Sequence, residues 1–335
     1  MAYFRNTFGA IVIGATLLTG TSIDVSADNI QTFTADDIFH MEVATSPQVS
    51  PDEQHIVYVR RSNDIMTDST RSSLWIADVA GQSHEPLLSS NRNYYSPRWS
   101  PTGDRLAYIS THDGKPQIYV RYMASGRTAL VSNLASSPSS LTWSPDGQTL
   151  AFTMSVDSNE RPFGIKMPAK PKGAKWAEPF QYIDKARYQA DGRGVLDPAY
   201  THIFVVPAEG GTARQLTSGN YHHRGTLSFA ADGEQIFFSA NRSDNWEYEP
   251  AESDIYAVSM DGEITQITFA PGREFAPNVS PNGEMIAYGK RDKQKLAYRN
   301  TYLHVMNIDG SNDRNLSADV DNIVSNYHWR GNEGL

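Results

Sequence analysis

One pattern of sixteen to eighteen residues recurs along the chain, and its spacing constrains the fold more than any local propensity does. It reads SPQVSPDEQHIVYVRR from Ser46, SPRWSPTGDRLAYIST from Ser96, SLTWSPDGQTLAFTMS from Ser140, GTLSFAADGEQIFFSANR from Gly225 and APNVSPNGEMIAYGKR from Ala276. A sixth copy opens at Asn326 with NYHWRGNEGL. The residue before each turn serves as a marker: Val49, Trp99, Trp143, Phe229, Val279 and Trp329. Successive markers lie 50, 44, 86, 50 and 50 residues apart, so one interval carries about forty extra residues.

Within a repeat the residues explain the pattern. Pro-Asp-Gly or Pro-Asn-Gly between apolar runs is a turn, because proline presets φ and glycine accepts the left-handed conformation that follows. The run after the turn alternates, with Leu106 and Tyr108 on one face and Ala107 and Ile109 on the other. A further strand follows in each repeat: Leu74 to Ile76, Gln117 to Val120, Ile203 to Val206, Asp254 to Val258 and Leu303 to Met306. Glycine-containing hairpins at Gly81, Gly126, Gly210, Gly262 and Gly310 then lead to a short outer strand. Four strands at a period near fifty predict an all-β fold, a β-propeller of four-stranded antiparallel blades. The expectation is about five complete blades and the start of a sixth, with strands beginning near the first five markers. The large aromatics, Trp99, Trp143, Tyr108, Phe152, Tyr119 and Tyr256 among them, read as packing between blades.

Residues 156–200 form the long departure from the period. MPAKPKGAK from Met167 reads as an exposed loop, and WAEPFQYIDKARY from Trp176 as a strand edge or a packed excursion. Contact with another domain and plain surface elaboration both fit such a loop. An acidic cluster, Glu247, Glu249, Glu252 and Asp254, precedes the third strand of the fourth repeat. It reads either as a solvated loop tip or as a site for a cation such as a peptide's amino terminus. If the stretch is extended, Glu247 and Glu249 share a face, whereas Glu252 follows Pro250.

The 29 Lys and Arg against 38 Asp and Glu give a net charge of −9. No basic run or basic helix is present, which argues against nucleic acid or an anionic membrane as partner. Arg5, the apolar stretch Phe8 to Leu18 and the small residues Val25-Ser26-Ala27 read as a signal peptide over 1–27. That stretch is shorter than the roughly 20 residues a bilayer span needs. The domain is therefore expected over 28–335, in the periplasm or secreted, with no membrane contact after cleavage. With no cysteine in the chain, thiol catalysis and disulfides are excluded. The 335 residues contain no G-x-S-x-G elbow, no phosphate loop and no H-E-x-x-H pair. The nine histidines are scattered, and the adjacent His222 and His223 suit one-face metal binding poorly. No catalytic residue, cofactor or metal is assigned from these residues.

The alternation of these turns, IYV-type strands and Gly-Gly hairpins resembles the propellers of TolB and of the prolyl oligopeptidase family of serine peptidases. Phe33 to Glu53, Tyr182 to Asp197, Ser239 to Val258 and Tyr302 to Ser317 are similar to the acylaminoacyl-peptidase-like and dipeptidyl-peptidase-like members. The resemblance implies a propeller of seven blades, here incomplete, capping an α/β-hydrolase domain that supplies a Ser-Asp-His triad. That domain is expected beyond Leu335, so the chain alone is expected to be inactive. The implied function is substrate gating in a peptide-hydrolysing serine peptidase. The alternative is a non-catalytic, TolB-like module that binds protein partners.

Overall fold

The computed structural model describes residues 32–335 apart from 113, 159–167, 178–181, 197, 295, 297 and 333. The segment read as a signal peptide lies outside the described residues. By contacts the chain divides into Met1–Ile38 and Phe39–Leu335. Everything below concerns the second unit.

Five four-stranded antiparallel sheets succeed one another. The first holds β1 (Glu42–Val49), β2 (His55–Asp64), β3 (Ser69–Asp78) and β4 (His84–Leu88); the second holds β5 (Tyr94–Trp99), β6 (Arg105–Ser110), β7 (Gln117–Tyr122) and β8 (Thr128–Leu130). In the third, β9 (Pro138–Trp143) and β10 (Thr149–Asp157) are separated from β13 (Ala199–Pro207) and β14 (Arg214–Gln215) by a small hairpin of β11 (Gln189–Ala190) and β12 (Gly194–Val195). The fourth holds β15 (His223–Phe229), β16 (Gln235–Ala240), β17 (Asp254–Ser259) and β18 (Ile264–Gln266); the fifth holds β19 (Gly272–Val279), β20 (Met285–Asp292), β21 (Tyr302–Asn307) and β22 (Arg314–Asn315). Val49, Trp99, Trp143, Phe229 and Val279 end their strands rather than begin them. The reason is local: the residue before a Ser-Pro turn is the last that can still pair. The insertion proper is 158–198, since Val156 and Asp157 still pair with Tyr200 and Ala199.

The serine of each turn has a defined task. Ser50, Ser100, Ser144 and Ser280 are buried, and their Oγ atoms accept the N–H of His55, Arg105, Thr149 and Met285 at 2.9, 3.0, 2.9 and 2.9 Å. Each hydroxyl in turn donates to a nearby Asp or Asn side chain. The turn thus satisfies its own buried polar groups. The fourth repeat has Ala230 at this position and lacks the hydroxyl.

Every first strand also carries a β-bulge just before its marker. Ser46, Ser96, Ser140 and Ala276 there have φ of 52, 53, 53 and 53°, and Asn326 repeats the conformation at 57°. In the fourth repeat the left-handed residue is Gly225. The sixth copy therefore begins with the same backbone device as the others.

The alternation read from the sequence divides side chains between successive cores. Leu106, Tyr108 and Tyr119 pack with Val57, Val59 and Leu74 of the first sheet. Ala107, Ile109, Ile118 and Val120 face the other way, onto Leu141, Trp143, Leu150, Phe152 and Phe204 of the third. Ala151, Ile203 and Val205 then meet Leu227, Phe229, Ile236 and Phe238 of the fourth, and Phe237, Ile255 and Ala257 meet Val279, Ile286 and Tyr288 of the fifth. A sheet buried on both faces explains the unbroken apolar runs. Tryptophans fasten successive repeats: Trp99 Nε1 donates to the Gln48 carbonyl at 3.2 Å, Trp143 to Arg98 at 2.9 Å and Trp329 to Asn278 at 2.8 Å.

Candidate functional site

Antiparallel order places the turns joining first to second strands along one edge of the sheets, where the strands end, and the loops joining second to third strands along the other. At that second edge the third sheet sends out the insertion and the fourth sheet sends out 241–253. Trp176, Tyr182, Ile183 and Tyr188 of the insertion are exposed; residues 178–181 of the stretch read as a strand edge or a packed excursion lie outside the described residues.

The glutamate loop is not extended. Trp246, Tyr248 and Glu252 donate their N–H groups to Ser243, Asn245 and Glu249 in successive turns, so the alternation expected for Glu247 and Glu249 does not hold. Glu247 accepts the Ala186 N–H at 2.8 Å and meets Lys185 Nζ at 3.6 Å, clasping the insertion. Glu249 and Glu252 share Lys293, whose Nζ lies 2.7 and 3.4 Å from their carboxylates. Glu252 also accepts the Gly272 N–H at 2.8 Å. Asp254 is half-buried near Glu274 and Glu252; burial first, then those two charges, push its carboxyl up to about 6.

Beside this loop stands a group of which the sequence reading named only His222 and His223, and those only as poor metal ligands. His222 and His223 are neighbours in sequence but point apart. His223 is fully buried, with its ring 5.3 Å from that of His202 and 5.4 Å from Phe238. Its Nε2 meets Arg242 at 2.7 Å. Burial, then the Arg242 charge, lowers His223 to about 3; burial, then Arg224, lowers His222 to about 4. Both imidazoles are neutral at pH 7. The His222 ring packs against Tyr200 and Trp246, at 5.4 and 5.5 Å between centroids. Its Nδ1 accepts the Thr201 N–H at 3.3 Å and lies 3.0 Å from an Arg224 amine. Desolvation first, then the charges of Arg187 and Arg193 on the insertion, hold the Arg224 guanidinium below its usual pKa. The missed signal was present: Arg187 and Arg193 fall in the stretch 182–197, and Arg242 in 239–258, both singled out for family resemblance.

Among the described residues no group of His, Asp or Glu is arranged to hold a metal ion. No helix among them is long and apolar enough to cross a membrane.

With this geometry in place, known proteins give it a context. The family described as "TolB beta propeller domain" matches residues 53–173, and "Dipeptidyl peptidase IV (DPP IV) N-terminal region" matches 177–294. "Uncharacterized peptidase YuxL" of Bacillus subtilis is 31% identical over 209 residues, covering 62% of this chain and 31% of YuxL. "Tol-Pal system protein TolB" of Alcanivorax borkumensis is 38% identical over 103 residues, covering 30% of this chain and 23% of the relative. The matched part is thus about a third of the peptidase or less. Among solved structures, Pyrococcus horikoshii acylaminoacyl peptidase superposes with a TM-score of 0.65 at 17% identity, covering 86% of this chain and 41% of that one. TolB from Agrobacterium tumefaciens gives 0.51 at 20% identity, covering 82% and 80%; both likenesses speak to fold alone. An all-β protein of TolB-type propeller repeats is the class so defined. Within it, residues 177–294 are similar to the N-terminal region of dipeptidyl peptidase IV, and the chain as a whole shares its fold with the propeller of acylaminoacyl peptidase.

Proposed function

We propose that the chain is the substrate-gating propeller of a secreted or periplasmic serine peptidase, working with an α/β-hydrolase domain that supplies the nucleophile. Its five sheets and the repeat opening at Asn326 are then blades of a seven-bladed whole. One observation carries the reading: the dipeptidyl peptidase IV match covers 177–294, which includes the second half of the insertion and the glutamate loop rather than generic repeats alone. Peptide hydrolysis through an acyl-enzyme belongs to the assembled enzyme. The propeller excludes folded proteins, and the insertion serves as a contact for the second domain.

Glu247, Glu249 and Glu252 are proposed to hold the substrate's ammonium group. In support, a primary ammonium, that of Lys293, already lies between Glu249 and Glu252. The reading is tested by following the reading frame past Leu335, where a G-x-S-x-G elbow is expected within roughly 150–250 residues. Purified chain should leave chromogenic peptides intact, while the whole gene product hydrolyses them and is blocked by a serine-directed phosphonate. A frame without that elbow, and a whole product without turnover, favours the second reading, a TolB-like interaction module, which the TolB relatives support.

A further inference from the structure

The pairing register singles out one place in the five sheets. Across all the described strand pairs, a single couple of like charges stands directly opposite: Arg273 of β19 and Arg291 of β20. Residues so placed hold their Cβ atoms about 4.5–5.5 Å apart, and like charges there are destabilising. The next pair along, Glu274 and Lys290, obeys the ordinary rule, with an ion pair of 3.0 Å. Carboxylates are at hand, since Glu252 accepts the Gly272 N–H at 2.8 Å and Glu249 meets Lys293 Nζ at 2.7 Å. Yet among the described residues none lies within 4 Å of either guanidinium. Want of an ion pair is common in this chain; two arginines set opposite each other in register are not.

The pair rests on a fixed platform. Both guanidinium carbons lie over the Phe275 ring, 4.9 Å from its centroid for Arg273 and 5.8 Å for Arg291. The ring fills the space over Gly289, where a Cβ would come within 2.8 Å of Phe275 Cζ. Tyr327 Oη holds the backbone there, donating to the Phe275 and Ala276 carbonyls at 3.3 and 2.7 Å. Arg291 is fixed further through its Nε, which donates to Thr301 Oγ1 at 2.7 Å, while Arg273 is exposed. An arginine resting on an aromatic ring keeps its terminal N–H groups for a carboxylate. Two such groups on one ring can share one anion, whose charge offsets their repulsion.

We infer that Arg273 and Arg291, seated on Phe275, form a binding site for a carboxylate carried by a peptide. The choice of a peptide rests on the peptidase-propeller reading, in which Glu252, bonded to the residue beside Arg273, helps to hold the substrate's ammonium group. The choice of an anion does not.

The test is calorimetric titration of the 335-residue chain with four probes. These are a neutral peptide blocked at both ends, the same peptide with a free C-terminal carboxylate, a blocked peptide bearing one glutamate, and inorganic phosphate. At least one carboxylate peptide should bind at least tenfold tighter than the neutral one, and which of the two does so identifies the carboxylate's source. Arg273→Gln, at an exposed position, should abolish that preference. Arg273→Glu, which sets an opposite charge across from Arg291, should abolish it too, with a thermal midpoint no lower than that of the wild type. Equal binding of neutral and carboxylate peptides, tighter binding of phosphate than of either carboxylate, or an unchanged preference in both variants overturns the proposal. Because no turnover is measured, a missing hydrolase elbow would defeat the peptidase reading while leaving this result standing.

Discussion

The two edges of these sheets are built on opposite plans. At the turn edge the same few atoms recur: a buried serine hydroxyl, a carboxylate or amide, and the N–H five residues after the serine. At the loop edge no two connections are alike, and the third and fourth sheets gather arginines, histidines, glutamates and aromatics in loops of different length. Repetition marks the part of the molecule that holds itself together. Departure from repetition marks the part with chemistry to spare.

Acidification should separate the edges most. His222 and His223 stay neutral when folded down to about 4 and 3, while an unfolded histidine takes its proton near 6.5. Their contribution is therefore complete above pH 6.5 and is lost as pH falls toward 4, at about 1.4 kcal/mol per pH unit for each group at most. Asp254, raised to about 6, runs the other way, since the folded carboxyl takes its proton before the unfolded one does. Burial and then the Arg242 charge lower His202 as well, so three histidines outweigh one aspartate and stability falls between pH 6.5 and 4. Urea midpoints should fall more steeply with acid in the wild type than in His223→Gln; parallel slopes would show that the buried histidine is not the sensor.

The turn edge should answer to single hydroxyls. Ser100→Ala strips the Arg105 N–H of its partner in a buried turn and should cost about 1–3 kcal/mol by denaturant titration. The reciprocal change, Ala230→Ser in the repeat that lacks the hydroxyl, should gain about 0.5–1 kcal/mol. Equal and negligible effects of both would remove the distinction between the edges.

The smallest effect on stability is expected at the clasp. Glu247→Gln weakens the contact with Lys185 and Ala186, an arrangement close to the surface, and should change unfolding free energy by less than about 0.5 kcal/mol. Trypsin should nonetheless cut faster after Lys172 and Lys175. Unchanged cleavage would mean that the insertion is held by other contacts.

Much of the fold could be read from the sequence because each repeat states its own rules nearby. Ser100, Pro101 and Gly103 define a turn within four residues, and Leu106 to Ile109 declare two buried faces by alternation alone. The strand boundaries were misjudged where the marker residue was taken as an opening rather than an end. The glutamates were found because they stand close together in sequence, yet three turns in a row undid the face they were expected to share. The histidine–arginine group was harder to read for the opposite reason: Thr201 of the third sheet meets His222 and Arg224, at the start of the fourth, only when the two sheets pack.

The tryptophan bonds have a consequence for how such a chain acquires its structure. Trp99, Trp143 and Trp329 each reach back to a carbonyl in the repeat before, and none reaches forward. Each of these bonds therefore needs only what has already been made, and it joins neighbours about fifty residues apart. Assembly can proceed from the amino end as the polypeptide appears, whether from a ribosome or from an export channel, each sheet offering a finished surface to the next. Changing Trp143 would then stall the order of construction at the third repeat and leave the first two able to form.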